Sequence, residues 1–212
     1  MPGERDLRDL VRACRAEGVR DPRILDAIGS VRRDAFVPPR HVHEAYEDRP
    51  IPIPRGQVTT QPSLIARMVE ALRLTGTERV LEIGTGLGYQ AAVLARLCSD
   101  VYTLERFPEL AEQARSNLDA AGVRNVTVVA GDGTLGLPEH APFQGIIVAA
   151  ASPRVPPPLA EQLSEGGRLV HPVGPGGRED VTVFRKEGSR LVREGSVVPA
   201  HFVRLVGRHG QD

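Results

Sequence analysis

Arg79-Val80-Leu81-Glu82-Ile83-Gly84-Thr85-Gly86-Leu87-Gly88-Tyr89-Gln90 runs from an apolar segment through three alternating glycines into a second apolar segment. Val80, Leu81 and Ile83 have the character of a short parallel strand covered on both faces, and Gln90 to Leu97 has the composition of a packed helix. A tight strand-to-helix turn must join them. Gly84, Gly86 and Gly88 let that turn adopt positive φ and let a ligand approach the backbone without meeting a Cβ. The helix N-terminus offers free amides to a negative group, so the stretch predicts a nucleotide-type site.

The glycine spacing narrows the ligand. Dinucleotide folds carry G-x-G-x-x-G above a pyrophosphate, whereas this turn reads G-x-G-x-G and no Lys-Ser or Lys-Thr follows to grip phosphate. A ligand with a carboxylate and a ribose but no phosphate suits it, and S-adenosylmethionine has that make-up. Glu82, at the strand end, is costly to bury without a cationic or hydrogen-bonding partner, and the amino group of a methionine moiety would serve. Glu105 lies 21 positions after Gly84 and closes the next strand, Val101 to Glu105, where an acceptor for two ribose hydroxyls belongs. Val126 to Ala130 reads as a third strand, and Gly131-Asp132-Gly133 sets Asp132 at its carboxyl end, placed to accept from an adenine amino group. A lone glutamate at a strand end is usually a solvated loop residue. Three acids delivered by successive strands to one sheet edge point instead to an adenosyl ligand held by Glu82, Gly84, Thr85, Gly86, Gly88, Glu105, Asp132 and Gly133.

Upstream of this motif, Leu7, Leu10, Val11 and Cys14 fall at helical spacing, in a first helix that ends near Gly18. Asp21-Pro22 caps a second helix whose buried stripe is Ile24, Leu25 and Ile28. A short helix is expected over His41 to Tyr46, then an extended Ile51-Pro52-Ile53-Pro54 whose prolines forbid a central strand. His41 and His43 have no companion ligands nearby, so no metal site is expected. Gly56-Gln57-Val58-Thr59-Thr60-Gln61-Pro62 precedes a helix over Ser63 to Leu74. Two threonines in that place serve either as helix caps or as an acceptor site beside the cofactor turn.

Downstream, a helix over Pro108 to Ala121 and strands at Val126 and Phe143 to Ala149 continue the alternation. A short helix from Pro156 to Leu163, a strand over Arg168 to Val173, a loop at Gly174-Pro175-Gly176-Gly177, a strand over Val181 to Lys186, strand material from Leu191 to Leu205 and a frayed tail over 207–212 complete the chain. This order predicts a doubly wound, mostly parallel α/β sheet of the Rossmann-like methyltransferase type, finished by a C-terminal antiparallel hairpin. Residues 1–212 form one domain in this reading, with 1–60 as a helical and loop extension and 61–212 as the core.

The 212 residues suffice for one full core. With 27 basic and 27 acidic residues there is no global field to attract nucleic acid or an anionic membrane. Lys186 is the one lysine among the basic residues, which reflects genome composition rather than function. The charged N-terminus lacks a signal-type apolar core, and no run of about 18 apolar residues could span a bilayer. Cys14 and Cys98 are expected as buried free thiols in a reducing cytoplasm.

Several stretches together resemble the protein-L-isoaspartate O-methyltransferase family: Ala45-Tyr46-Glu47-Asp48, Ile51-Pro52-Ile53, Gly56-Gln57, Gln61-Pro62, Leu81 to Ala95, Glu105-Arg106, Gly131-Asp132-Gly133, Ala141-Pro142-Phe143, Gly166 to Val170 and Phe202-Val203. The resemblance implies transfer of a methyl group from S-adenosylmethionine to the free carboxylate of an L-isoaspartyl residue in a damaged protein or peptide, leaving S-adenosylhomocysteine. The ester then closes to a succinimide, whose hydrolysis partly restores aspartate. It also implies a cytoplasmic monomer that uses no metal. Thr60 stands where the family has a serine credited with handling the acceptor carboxylate, and Gln57, Val58, Thr59, Thr60 and Val203 are the implied substrate-binding residues. Three positions depart from the family pattern. Val58-Thr59-Thr60 replaces Thr-Ile-Ser, Arg204 replaces the proline of a Val-Pro-Leu ending, and Gln144 replaces an aspartate after Pro-Phe. These departures leave open a methyltransferase of the same fold that acts on another carboxylate or a small molecule. A nonenzymatic adenosyl-binding protein is the third reading, and the glycine spacing disfavours a nicotinamide dehydrogenase.

Overall fold

The computed structural model describes residues 4–174 and 177–211. Met1 to Gly3, Pro175 and Gly176 of the expected glycine loop, and Asp212 lie outside the described residues. Helices α1 (Glu4–Ala16), α2 (Pro22–Ser30) and α3 (Pro62–Leu72) precede the sheet, with a small antiparallel hairpin of β1 (Ile51–Ile53) and β2 (Gln57–Thr59) between α2 and α3. The alternating part follows as β3 (Arg79–Ile83), α4 (Tyr89–Leu94), β4 (Asp100–Glu105), α5 (Pro108–Ala120), β5 (Val126–Ala130), β6 (Phe143–Val148), α6 (Pro157–Gln162) and β7 (Leu163–Val173). Strands β8 (Glu179–Glu187) and β9 (Arg190–Ala200) close the chain.

Seven strands form one sheet in the order β5-β4-β3-β6-β7-β8-β9. The five strands from β5 to β7 are parallel, and β8 and β9 are antiparallel, as the alternation of segments predicts. The chain winds outward from β3 to β5, then returns to lay β6 on the other side of β3. Between β3 and β6 the winding reverses, and such a reversal opens a crevice at the strand carboxyl ends. Alternation along the strands divides the interior. Val80, Val101, Ile147 and Val170 meet the helices α1 to α5, while Leu81, Ile83, Ile146, Val148 and Leu169 meet α6 and the C-terminal Leu205.

Local chemistry sets several boundaries that differ from the sequence reading. Helix α3 stops at Leu72 because Arg73 turns left-handed at φ 54. Helix α4 ends at Leu94, and Arg96 and Leu97 make i to i−3 bonds to Val93 and Leu94. The expected helix around His41 is a 3-10 turn, Pro39–Glu44. Asp21 caps α2 as expected, its side chain accepting from the Arg23 amide. Cys14 and Cys98 are buried free thiols, which burial pushes up to about 12.

The C-terminus corrects two expectations. Strand β9 ends at Ala200, not near Leu205, because the buried Glu179 accepts the Phe202 amide at 3.1 Å and the chain then leaves the hairpin for a bridge between Arg204 and Ala151. The tail is docked rather than frayed. Arg208 N donates to Asp132 at 2.8 Å, His209 N to Thr134 Oγ1 at 3.1 Å, and Gln211 N to the Leu205 carbonyl at 2.7 Å. Among the described residues no helix is long and apolar enough to cross a membrane.

Candidate active site

At the reversal between β3 and β6 lies a cleft walled by the glycine turn, the Gln57 to Thr60 segment, Glu105 and the Val203 to Val206 segment. The glycine turn forms because β3 must release the chain within a few residues. Gly84, Gly86 and Gly88 have φ of 94, 56 and 99, a region that side chains disfavour. The Gly84 amide donates to the Leu104 carbonyl at 2.8 Å, and the Gly86 amide to Glu105 Oε2 at 2.9 Å, so the turn is tied to the end of β4. Gly84, Thr85 and Gly86 line the cleft, and Gly88 stands behind it as the residue before α4.

Glu105 closes β4 at 5% exposure, and its other oxygen accepts the Phe107 amide at 3.1 Å. Burial pushes its carboxyl above the ordinary range, against the pull of the amides that it accepts. It lines the cleft and retains lone pairs for two further donors.

Glu82 shares a side of β3 with Val80 and points under α4, behind the cleft wall rather than in it. It is fully buried. Oε2 accepts from the Thr103 hydroxyl, which is 2.6 Å from that of Thr85, while Oε1 has no partner. Burial pushes the carboxyl up to about 8, with the Thr103 hydroxyl and the Gln90 side chain opposing it. Gln90 is also buried and lines the cleft, and its side chain favours the ionised form of the Glu82 carboxyl behind it.

Asp132 is placed differently from the expectation that it faces an adenine. Oδ1 accepts the Thr134 amide at 2.9 Å and its hydroxyl at 2.7 Å, and Oδ2 accepts the Arg208 amide. Burial would raise its carboxyl, but these donors outweigh burial and hold it below the ordinary range. Asp132 thus caps the 3-10 turn Gly133–Leu135 and pins the tail, while Gly133 beside it forms cleft wall.

Across the cleft, the β1–β2 hairpin turns at Arg55 (φ 64) and Gly56 and delivers Gln57, Val58, Thr59 and Thr60 to the wall. The threonines are not helix caps. Asp48 performs that task for α3, accepting the Ser63 amide and the Gln61 side chain, both at 2.9 Å. Thr59 points inward, its hydroxyl accepting from Arg33 at 2.7 Å. Thr60 is half-buried, and its hydroxyl makes no hydrogen bond among the described residues. Val203 holds its place because its carbonyl accepts the Ala151 amide at 2.8 Å.

Of the three departures, Thr60 and Arg204 line the cleft, whereas Gln144 is exposed and caps the start of β3 by accepting the Arg79 amide at 2.8 Å. Sequence reasoning did not single out Arg33, Thr103 or Gln90. A side chain whose partners come from distant loops leaves no local pattern, although a polar Gln90 at the first turn of an otherwise apolar helix was a usable signal. Among the described residues no group of three or more His, Cys, Asp or Glu is placed to hold a metal ion.

A family model described as protein-L-isoaspartate(D-aspartate) O-methyltransferase matches residues 5–210. The protein-L-isoaspartate O-methyltransferase of Methanoregula boonei is 50% identical over 193 residues, 91% of this chain and 88% of that protein. Protein-L-isoaspartate O-methyltransferase 2 of Marinobacter nauticus is 49% identical over 211 residues, 97% of this chain and 96% of that protein. Among solved structures, a protein-L-isoaspartate O-methyltransferase superposes with a TM-score of 0.87 at 31% identity, over 96% of this chain and 67% of its own. A Plasmodium falciparum protein in complex with S-adenosyl-L-homocysteine shares the fold, with a TM-score of 0.80 at 19% identity over 93% of this chain and 96% of its own. The chain belongs to the protein-L-isoaspartate(D-aspartate) O-methyltransferase family.

Proposed function

We propose that this protein methylates the free carboxylate of L-isoaspartyl residues in damaged proteins and peptides, using S-adenosylmethionine, and so starts their repair through a succinimide. The observation that carries the reading is the Thr60 side chain on the wall of the same cleft as the glycine turn and Glu105. On this reading the enzyme works as a cytoplasmic monomer.

The residues present fit the cofactor. Glu105 has acceptor capacity left for a ribose diol, and the polar Gln90 side chain on the cleft wall suits a ligand with a charged amino acid end. Gly84, Gly86 and Gly133 form part of the same cleft wall. When bound, the cofactor supplies a methyl group already activated by its sulfonium.

An acceptor carboxylate is ionised at neutral pH, so the chain needs no general base. Its residues have instead to align the acceptor and exclude water. The Thr60 hydroxyl donates to an acceptor oxygen, and Ile53, Val58 and Leu205 supply apolar wall. Thr60→Val should lower turnover about tenfold, the worth of one hydrogen bond to a charged group, with cofactor affinity unchanged. Isothermal titration beside steady-state rates checks both parts.

A second reading, a methyltransferase acting on another carboxylate or a small molecule, is favoured by one observation: the substituted residues Thr60 and Arg204 both sit in the cleft wall. Radiolabelled methyl transfer to an isoaspartyl peptide and its aspartyl twin separates the two. Label on the isoaspartyl peptide alone supports repair. Label on neither peptide, with label entering a cell extract, supports the second reading.

A further inference from the structure

Arg33 is wholly buried in the 3-10 turn Arg33–Phe36, and its charged head joins segments that are distant in sequence. Nη1 donates to the carbonyls of Ala45 (3.2 Å) and Glu47 (3.0 Å). Nη2 donates to the Arg49 carbonyl (2.9 Å), the Thr59 hydroxyl (2.7 Å) and the Thr60 carbonyl (3.2 Å). The same guanidinium stands 5.6 Å from the centroid of the Tyr89 ring, and Tyr89 opens α4 directly after the glycine turn.

Burying a cation is costly, and here four carbonyls and one hydroxyl accept from the guanidinium head while Nε has no partner and Asp48 helps at longer range. Burial pulls the group down to about 10, so it stays charged at neutral pH. A planar fork of five N–H donors can bridge several carbonyls at once, which the point charge of a lysine cannot do. β1 is anchored by Ile51, buried with Val37 and Ala45, and by Ile53, buried with Leu87 and Leu110, whereas in β2 only Thr59 is buried, so the end of β2 depends on what Thr59 meets. The helix that follows is capped from elsewhere, by Asp48, so no cap holds Thr59 and Thr60 in place.

We infer that Arg33 is the positioning residue of the acceptor loop, binding the Thr59 hydroxyl and the Thr60 carbonyl inward so that the Thr60 side chain is presented to the cleft. The inference rests on the proposed function for its role in turnover. The bracing itself can be measured without any substrate.

The test compares Thr59→Val, which keeps shape but removes the hydroxyl, with Thr59→Ser, which restores it, and with Arg33→Lys. Thr59→Val should raise KM for an isoaspartyl peptide about tenfold, the scale of a lost hydrogen bond to a charged group, while the Kd for S-adenosylhomocysteine stays within about twofold. Hydrogen exchange of amides 57–61 should quicken in Thr59→Val and in Arg33→Lys, and Thr59→Ser should return both KM and exchange to near the parent values. If Arg33→Lys does not fold, the Thr59 pair decides. Unchanged KM and exchange in Thr59→Val would overturn the inference, and so would a cofactor Kd that rises in step with KM, the mark of a general loss of packing. Should the parent enzyme methylate no isoaspartyl peptide, the proposed function fails, and exchange across 57–61 alone still decides whether Arg33 braces the loop.

Discussion

Glu82 is a carboxyl that the fold buries completely. Its ordinary pKa is 4.5, and burial pushes it to about 8 in the folded chain. Between those values the folded protein holds a proton that the unfolded chain has released, so stability falls as pH rises through the window. The effect over the whole window is of the order of several kcal/mol. Glu82→Gln abolishes the titration, so its thermal midpoint should exceed that of the parent by more at pH 8 than at pH 5. Equal pH dependence in the two proteins would remove Glu82 as the source. The acid itself could be picked out from the strand motif. Its partner Thr103 could not, because the two meet only through pairing of β3 with β4.

The element scale is governed by close approach. A Cβ on Gly133 would stand 2.4 Å from Cγ2 of Ile83, so the segment after β5 packs against the end of β3 only because residue 133 lacks a side chain. Gly133→Ala should therefore cost about 1–3 kcal/mol of stability, the usual penalty for overpacking, measured by urea denaturation. It should also weaken cofactor binding, because the displaced segment forms cleft wall. Asp132 was legible as an acid at a strand end. That its oxygens cap the following turn and anchor the tail was not, since Arg208 lies 76 residues further on. The same limit applies to α3, whose start is clear from Gln61-Pro62 but whose cap is Asp48, brought in by a fold of the intervening chain.

At the scale of the whole molecule, the winding order places β3 and β6 side by side and so determines where the cleft opens. Each wall comes from a different part of the chain: the N-terminal hairpin, the β3 and β4 ends, and the segment after β9. A ligand that joins these walls stabilises the entire domain. S-adenosylhomocysteine at a hundred times its Kd should add about 2.7 kcal/mol and raise the melting temperature by about 5–10 °C in a chain of this size. Glu105→Ala should abolish most of that rise at the same ligand concentration. A full rise in the mutant would take Glu105 out of the site.

The sequence by itself determined the parallel α/β winding, the glycine turn and the edge of the sheet at which that turn emerges beside Glu105. These follow from short-range facts: hydrophobic period, glycine at positive φ, and the rule that a strand-to-helix turn emerges at the strand's carboxyl end. Only the tertiary structure decided that Thr59 turns inward to Arg33, that Asp132 serves the tail, that Gln144 lies away from the cleft and that Arg204 lies on it. Each of those outcomes depends on which distant backbone groups are left without partners once the sheet has closed, and a local pattern of residues holds no record of that.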